Sequence, residues 1–290
     1  MRVVLLALCL AALSGCSTLR LGYGQLDTLA AWRANEYFDL DVGQRTEFSR
    51  RFDRLHEWHR YEQLPEYGTF LGATRARLEK GIAREDVLWV IEGVKERYRV
   101  LARRGADDAA AMLMTVTPAQ IESLKRKWEK DNERFVREYR LKEGPTERNE
   151  ASLKRLYSRI TDWTEELSSE QEKKIASIVN DAPFLHALRF EDRLRRQREF
   201  LQLLASRNDD ARGFTQRVRQ FLANWEQGRD PEYDRRYRDW EQRQADLYVA
   251  VARMLTPQQR AAVLRRVQSY IEDFAHLAQR PDAQTSASNR

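Results

Sequence analysis

Apolar residues return every three or four positions along nearly the whole chain. Leu153, Leu156, Ile160, Trp163 and Leu167 make one stripe, and Val263, Val267, Tyr270, Phe274 and Leu277 another. Phe214, Val218, Phe221 and Trp225 form a third, and Val87, Ile91, Val94, Tyr98 and Leu101 a fourth. This is the 3.6-residue period of amphipathic helices that bury one face. No stretch shows a convincing period of two. Pro65, Pro118, Pro145, Pro183, Pro231 and Pro257 fall between the stripes, near helix starts, where a missing N–H costs little. The pattern predicts an all-α fold, a multi-helix bundle of roughly ten to twelve amphipathic helices. The expected helices cover about 19–37, 41–63, 65–80, 84–104, 118–142, 146–167, 169–180, 183–206, 209–227, 231–255 and 257–278, each boundary good to a few residues. The stretch around 105–115 has room for a further short helix, and residues 280–290 read as a polar, frayed tail.

One local pattern recurs four times. Leu40-Asp41, Val116-Thr117, Leu167-Ser168 and Leu255-Thr256 each pair an apolar residue with a capping residue. A glutamine follows three positions after the cap, at Gln44, Gln120, Gln171 and Gln259. In a capping box the cap oxygen accepts a first-turn N–H, and the glutamine side chain reaches back to the cap's own N–H. Four and eight residues after each glutamine the chain is apolar, at Phe48/Phe52, Leu124/Trp128, Ile175/Val179 and Val263/Val267. These are successive turns of one helix face. Residues 117–135 and 256–274 also align without gaps. A remote internal duplication and convergence of capping chemistry both account for this. The pattern resembles the Leu-Thr-x-x-Gln signature of small all-helical periplasmic stress proteins, ATP-independent chaperones among them.

Composition narrows the class. The chain has 290 residues, of which 42% are hydrophobic and 33% charged, with only 12 Gly and 7 Pro. Few breakers argue against a β-sandwich or barrel, and the apolar content argues against a chain disordered throughout. Two cysteines exclude a disulfide scaffold and a Cys-rich zinc module.

The first residues, MRVVLLALCLAALSGC, form a distinct segment. Arg2 gives a short positive start, and Val3 to Ala12 is an apolar run too short to span a bilayer but suited to a signal peptide. Leu13, Ser14, Gly15 and Cys16 follow. This box resembles the bacterial lipoprotein signal. The resemblance implies cleavage after Gly15 and lipidation of the Cys16 thiol, with Ser17 favouring the outer membrane. The domain organisation that follows is a cleaved signal over 1–15, a lipid-anchored tether over 16–18, an all-helical periplasmic domain over 19–279 and the tail over 280–290. Helical patterning starts three residues after Cys16, a gap of at most about 10 Å, so the body should sit against the bilayer.

A broader resemblance rests on several segments in order. They are the lipobox; Tyr37-Phe38-Asp39-Leu40-Asp41 with Gln44-Arg45; Trp58-His59-Arg60 with Leu64-Pro65 and Tyr67; and Asp131-Asn132 with Phe135 and Glu138-Tyr139. Together they resemble a family of proteobacterial lipoproteins with no assigned function. The resemblance implies a helical periplasmic domain on a lipid anchor and carries over no catalytic residue.

Candidate chemistry is sparse. Asp53, His56, His59 and Glu62 form a ladder at spacing three, but each step turns about 300° and the ends diverge. No metal and no cofactor is expected. His59, beside Trp58, reads as a half-buried, hydrogen-bonded side chain. There is no Gly-x-Ser-x-Gly elbow and no phosphate loop. Asp131 and Asn132 interrupt the Leu124–Trp128–Phe135 stripe, which points to a buried polar network or a polar pocket, with Asp39 and His59 as further candidates. The formal charge of +6 and pI near 9.3 would usually suggest nucleic acid. The envelope address and the opposite charges at helical spacing around Lys125–Lys127 and Arg193–Arg198 argue against it. The expected role is non-enzymatic binding or scaffolding in the envelope, with the membrane through Cys16 and a periplasmic protein or anionic polymer as partners. The rivals are a periplasmic chaperone or stress protein and an envelope glycan or peptide hydrolase.

Overall fold

The computed structural model describes residues 18–179, 185–208 and 210–280. The described elements are α1 (Thr18–Gly24), α2 (Leu26–Phe38), α3 (Val42–Trp58), a π turn (His59–Gln63), α4 (Leu64–Lys80), α5 (Arg84–Met114) and α6 (Pro118–Glu138). They continue with α7 (Pro145–Thr164), α8 (Ser169–Val179), α9 (His186–Ala205), α10 (Ala211–Ala223), α11 (Pro231–Met254) and α12 (Pro257–Leu277). The protein is all-α, with no strand among the described residues; α3 and α4 run on through the π turn, so they count as one of eleven helices. The signal, Gly15, Cys16 and Pro183 lie outside the described residues, as does the tail from 281.

Four expectations about the helices change. The single helix expected over 19–37 is broken at Gln25, whose φ of −110° and ψ of 12° leave the helical range, into α1 and α2. The proposed short helix near 105–115 is the continuation of α5, which runs unbroken for 31 residues. Gly105 does not end it, because α3 approaches there: a side chain at Gly105 would meet Leu55 at 3.4 Å. Pro65 does not start a new helix. Its ring would clash with the carbonyl four residues back in a regular α-helix, and the π turn widens the coil at that point, with Leu64 N–H bonding to His59 O. The expected helix over 118–142 stops at Glu138, and Arg140 takes a left-handed φ of 51°.

The broadest contacts are α4 with α12 and α5 with α10 and α11. Two apolar clusters lie within the bundle. Leu156, Ile160, Ile175, Leu247 and Val251 form one, joining α7, α8 and α11. Ala110, Leu203, Phe214 and Val218 form the other, joining α5, α9 and α10. The α5 stripe read from the sequence is only partly inside. Val94 and Tyr98 are exposed, whereas Ala106 and Ala110 are fully buried, because alanines let neighbouring helices come close.

At Gly93 the Phe70 ring of α4 lies against the backbone of α5. A Cβ there would meet Cε2 and Cζ of Phe70, the latter at 2.7 Å. The Phe70 ring is buried and is held between Trp89, at 4.9 Å, and the Arg97 guanidinium, at 3.8 Å. Alanine would gain about 1 kcal/mol of helix propensity, and forcing the ring aside costs roughly 1–3 kcal/mol. Gly93→Ala therefore lowers stability on balance. Urea unfolding checks the sign, and a smaller loss in a Phe70→Leu background identifies the clash as its cause.

Candidate functional site

The four capping boxes all form, and the structure brings them together in two pairs. Gln44 Oε1 accepts from Asp41 N–H at 3.1 Å, and Gln120 Oε1 from Thr117 N–H at 2.9 Å. The two glutamine amides then hydrogen-bond each other in both directions, at 3.2 and 2.5 Å. Each Nε2 also donates to a carbonyl on the other side, Gln44 to Thr115 O and Gln120 to Asp39 O. The second pair repeats this. Gln171 and Gln259 accept from Ser168 and Thr256 N–H at 3.0 and 2.9 Å, and bond each other at 2.8 and 3.0 Å. They reach Met254 O and Glu166 O respectively. In all four cases the carbonyl lies two residues before the opposite cap. All four glutamines are buried, and every polar atom of each amide has a partner, as burial demands. The sequence showed the boxes; it did not show that they clasp pairwise, because the partners are 76 and 88 residues apart.

His59 lies on the π turn. Tyr23 of α1 sits against it, with the hydroxyl 2.9 Å from Nδ1, and Tyr67 of α4 meets its ring edge-on at 5.3 Å. His56, one turn earlier, lies against Tyr23 with its ring tilted by 49°, at 4.7 Å. Burial lowers the pKa of both imidazoles, helped at His56 by Arg60 and at His59 by His56. Burial also pushes the Tyr23 phenol up to about 12. This cluster therefore favours its neutral form. It holds α1 to the body together with the Arg20–Asp273 ion pair at 2.5 Å, whose carboxylate is buried on α12. Among the described residues no group of three or more His, Cys, Asp or Glu is arranged to hold a metal ion.

Asp131 and Asn132 point to different neighbours. Asp131 accepts from the Tyr37 hydroxyl at 2.6 Å and pairs with Lys127 at 3.3 Å, which also holds Glu36 at 2.6 Å. Burial pushes the Asp131 carboxyl up, but the bonds from Tyr37 and Lys127 outweigh it, and its pKa ends below the usual carboxylate range. Asn132 faces α9 instead. It exchanges hydrogen bonds with Gln197 at 2.9 and 3.1 Å and accepts from Arg193 Nε at 2.7 Å. Asp39 is exposed at the left-handed end of α2, and only its carbonyl enters the first clasp. The four sequence candidates thus belong to separate networks: Asp39 to the clasp, His59 to the α1 cluster, Asp131 to α2 and Asn132 to α9. Asn132 opens on a wide groove of about 550 Å³ between α6 and α9, lined also by Glu133, Val136, Arg137, Phe190 and Leu194.

Fold and site define a helical bundle in which buried glutamines tie helix ends together. Residues 36–234 match the family of unknown function DUF6279, and the chain belongs to that family. Nothing among the curated proteins or the solved structures matches it significantly. The matched region contains every internal segment that carried the resemblance drawn from the sequence. It ends inside α11, so α12, with Thr256, Gln259 and Asp273, lies beyond it. The fold does not end there, since α12 packs along α4 and completes the second clasp.

Proposed function

We propose that the protein is a lipid-anchored envelope protein of the outer membrane, and that its helical body works as a non-enzymatic binding or scaffolding module facing the periplasm. The observation that carries this reading is the box Leu13-Ser14-Gly15-Cys16 behind a ten-residue apolar run, followed within two residues by the folded body at Thr18. None of the described helices is long and apolar enough to cross a membrane, so a lipid on Cys16 would supply the attachment. The polar candidates are occupied in holding helices to one another, which supports scaffolding over catalysis. Cys16→Ala should abolish incorporation of labelled palmitate and move the protein from the membrane to the soluble fraction. A variant that stays wholly in the outer-membrane fraction refutes the anchor.

The capping boxes at Thr117/Gln120 and Thr256/Gln259 favour a second reading, a periplasmic stress or chaperone role, through their likeness to the Leu-Thr-x-x-Gln signature. Suppression of client aggregation by the anchorless body would select this reading; a body inert towards unfolded clients would reject it.

A further inference from the structure

The α1–α2 arm carries an apolar stripe on its outer side. Leu21, Leu29 and Trp32 are 58%, 52% and 56% exposed. Leu29 and Trp32 are three apart on one face of α2, and Leu21 stands on the exposed side of α1. The two helices are joined through the single residue Gln25, whose N–H bonds to Gly22 O while its carbonyl accepts from Leu29 N–H. The inner side is committed to the body. Tyr23 is buried against His59, Arg20 pairs with Asp273, and α2 packs on α3 and α6. An amphipathic helix on a protein surface normally turns polar residues outward; here three large apolar side chains face outward instead.

The position of the arm in the chain decides what covers it. Cys16 is two residues before Thr18, so its Cα lies within about 8 Å of the start of α1. A lipid on Cys16 enters the bilayer beside the stripe, and the contacts of Arg20 and Tyr23 fix which way the stripe faces. Trp32 has the Arg33 guanidinium 5.7 Å from its ring. An aromatic ring with a neighbouring cation suits the boundary between head groups and acyl chains. We infer that the Leu21–Leu29–Trp32 side of α1–α2 lies in the interface of the phospholipid bilayer that holds the anchor, so that the body is seated in one orientation on the membrane. This rests on the lipid-anchor reading above and adds a second, protein-borne contact to it.

The test uses the lipidated protein in vesicles of phosphatidylethanolamine and phosphatidylglycerol with brominated acyl chains, which quench tryptophan on contact. The chain has seven Trp, so the Trp32 signal is the difference between the wild type and Trp32→Phe. Expected is a Trp32 component that loses roughly half or more of its intensity relative to non-brominated vesicles, as for a ring at the acyl boundary. Protein that floats with the vesicles while its Trp32 component is unquenched overturns the seating and leaves the anchor standing. Failure to float overturns both. An unquenched Trp32 whose emission changes with protein density identifies a second copy as the occupant and likewise overturns the inference.

Discussion

Replacing Gln120 with alanine will destabilise the fold by about 3 kcal/mol, although it removes only a small polar side chain from a helix start. Gln120 makes four hydrogen bonds: from Thr117 N–H and Gln44 Nε2, and to Asp39 O and Gln44 Oε1. Alanine leaves those partners stranded, the Gln44 amide among them in a buried site. A stranded buried polar group costs roughly 1–3 kcal/mol, more than the hydrogen bond contributes on balance. Gln120→Glu should be no better, because a carboxylate cannot donate to Asp39 O and sets oxygen against Gln44 Oε1. Gln44→Ala should cost a similar amount for the same reason. The decisive measurement is the double-mutant cycle in urea. Gln44→Ala with Gln120→Ala should cost less than the sum of the singles by at least about 1 kcal/mol, since the mutual bonds are counted twice. Additive losses would mean that each glutamine serves only its own helix and that the clasp has no energetic content. The same cycle at Gln171 and Gln259 should give the same result.

That prediction separates what the sequence could and could not disclose. A capping box is local: its cap and glutamine are three residues apart, so Asp41/Gln44, Thr117/Gln120, Ser168/Gln171 and Thr256/Gln259 are readable without a fold. Pairing of the boxes depends on how helices dock over intervals of 76 and 88 residues, and nothing in a box specifies its partner. Helix stripes were legible where burial follows side-chain size, as at Phe214, Val218, Leu156 and Ile160. They misled on α5, where packing uses Ala106 and Ala110 and leaves Val94 outside. Pro65 was read as a boundary because proline breaks regular helices, yet the π turn absorbs it without ending the rod. Asp131 and Asn132 stood out as polar residues in an apolar register. Their one-residue offset, about 100° around a helix, sends Asp131 to Tyr37 and Asn132 to Gln197. The repetition of the clasp, with each carbonyl two residues before the opposite cap, gives the internal duplication a geometric counterpart that capping chemistry alone does not require.

The largest single-residue loss is expected at Phe214, the bulkiest of the fully buried side chains. Its ring fills the space among Ala110, Leu203 and Val218, with Phe200, Phe221 and Leu113 closing around it, and Phe200 carries the contact on to Trp128 of α6. α10 is only 13 residues long, near the limit below which an isolated helix is marginal in water, so it depends on the side chains it buries, Phe214 and Val218 above all. Phe214→Ala should cost about 3–5 kcal/mol, and Phe214→Leu, which keeps most of the volume, under about 1.5 kcal/mol. The cluster around Phe214 shares no residue with the cluster beneath the second clasp, to which Leu167, Met254 and Leu255 contribute. Two separate cores raise the question whether they unfold separately. α12 packs on α4 and α11 on α5, so neither core can open without exposing helix faces that the other part of the chain covers. Phe214→Ala combined with Gln259→Ala should therefore add within about 0.5 kcal/mol and shift a single urea transition, coincident by helix content and by tryptophan emission. A variant that moves one of two resolved transitions and leaves the other in place would show that the cores are independent units and that the α4–α12 contact contributes little to cooperativity.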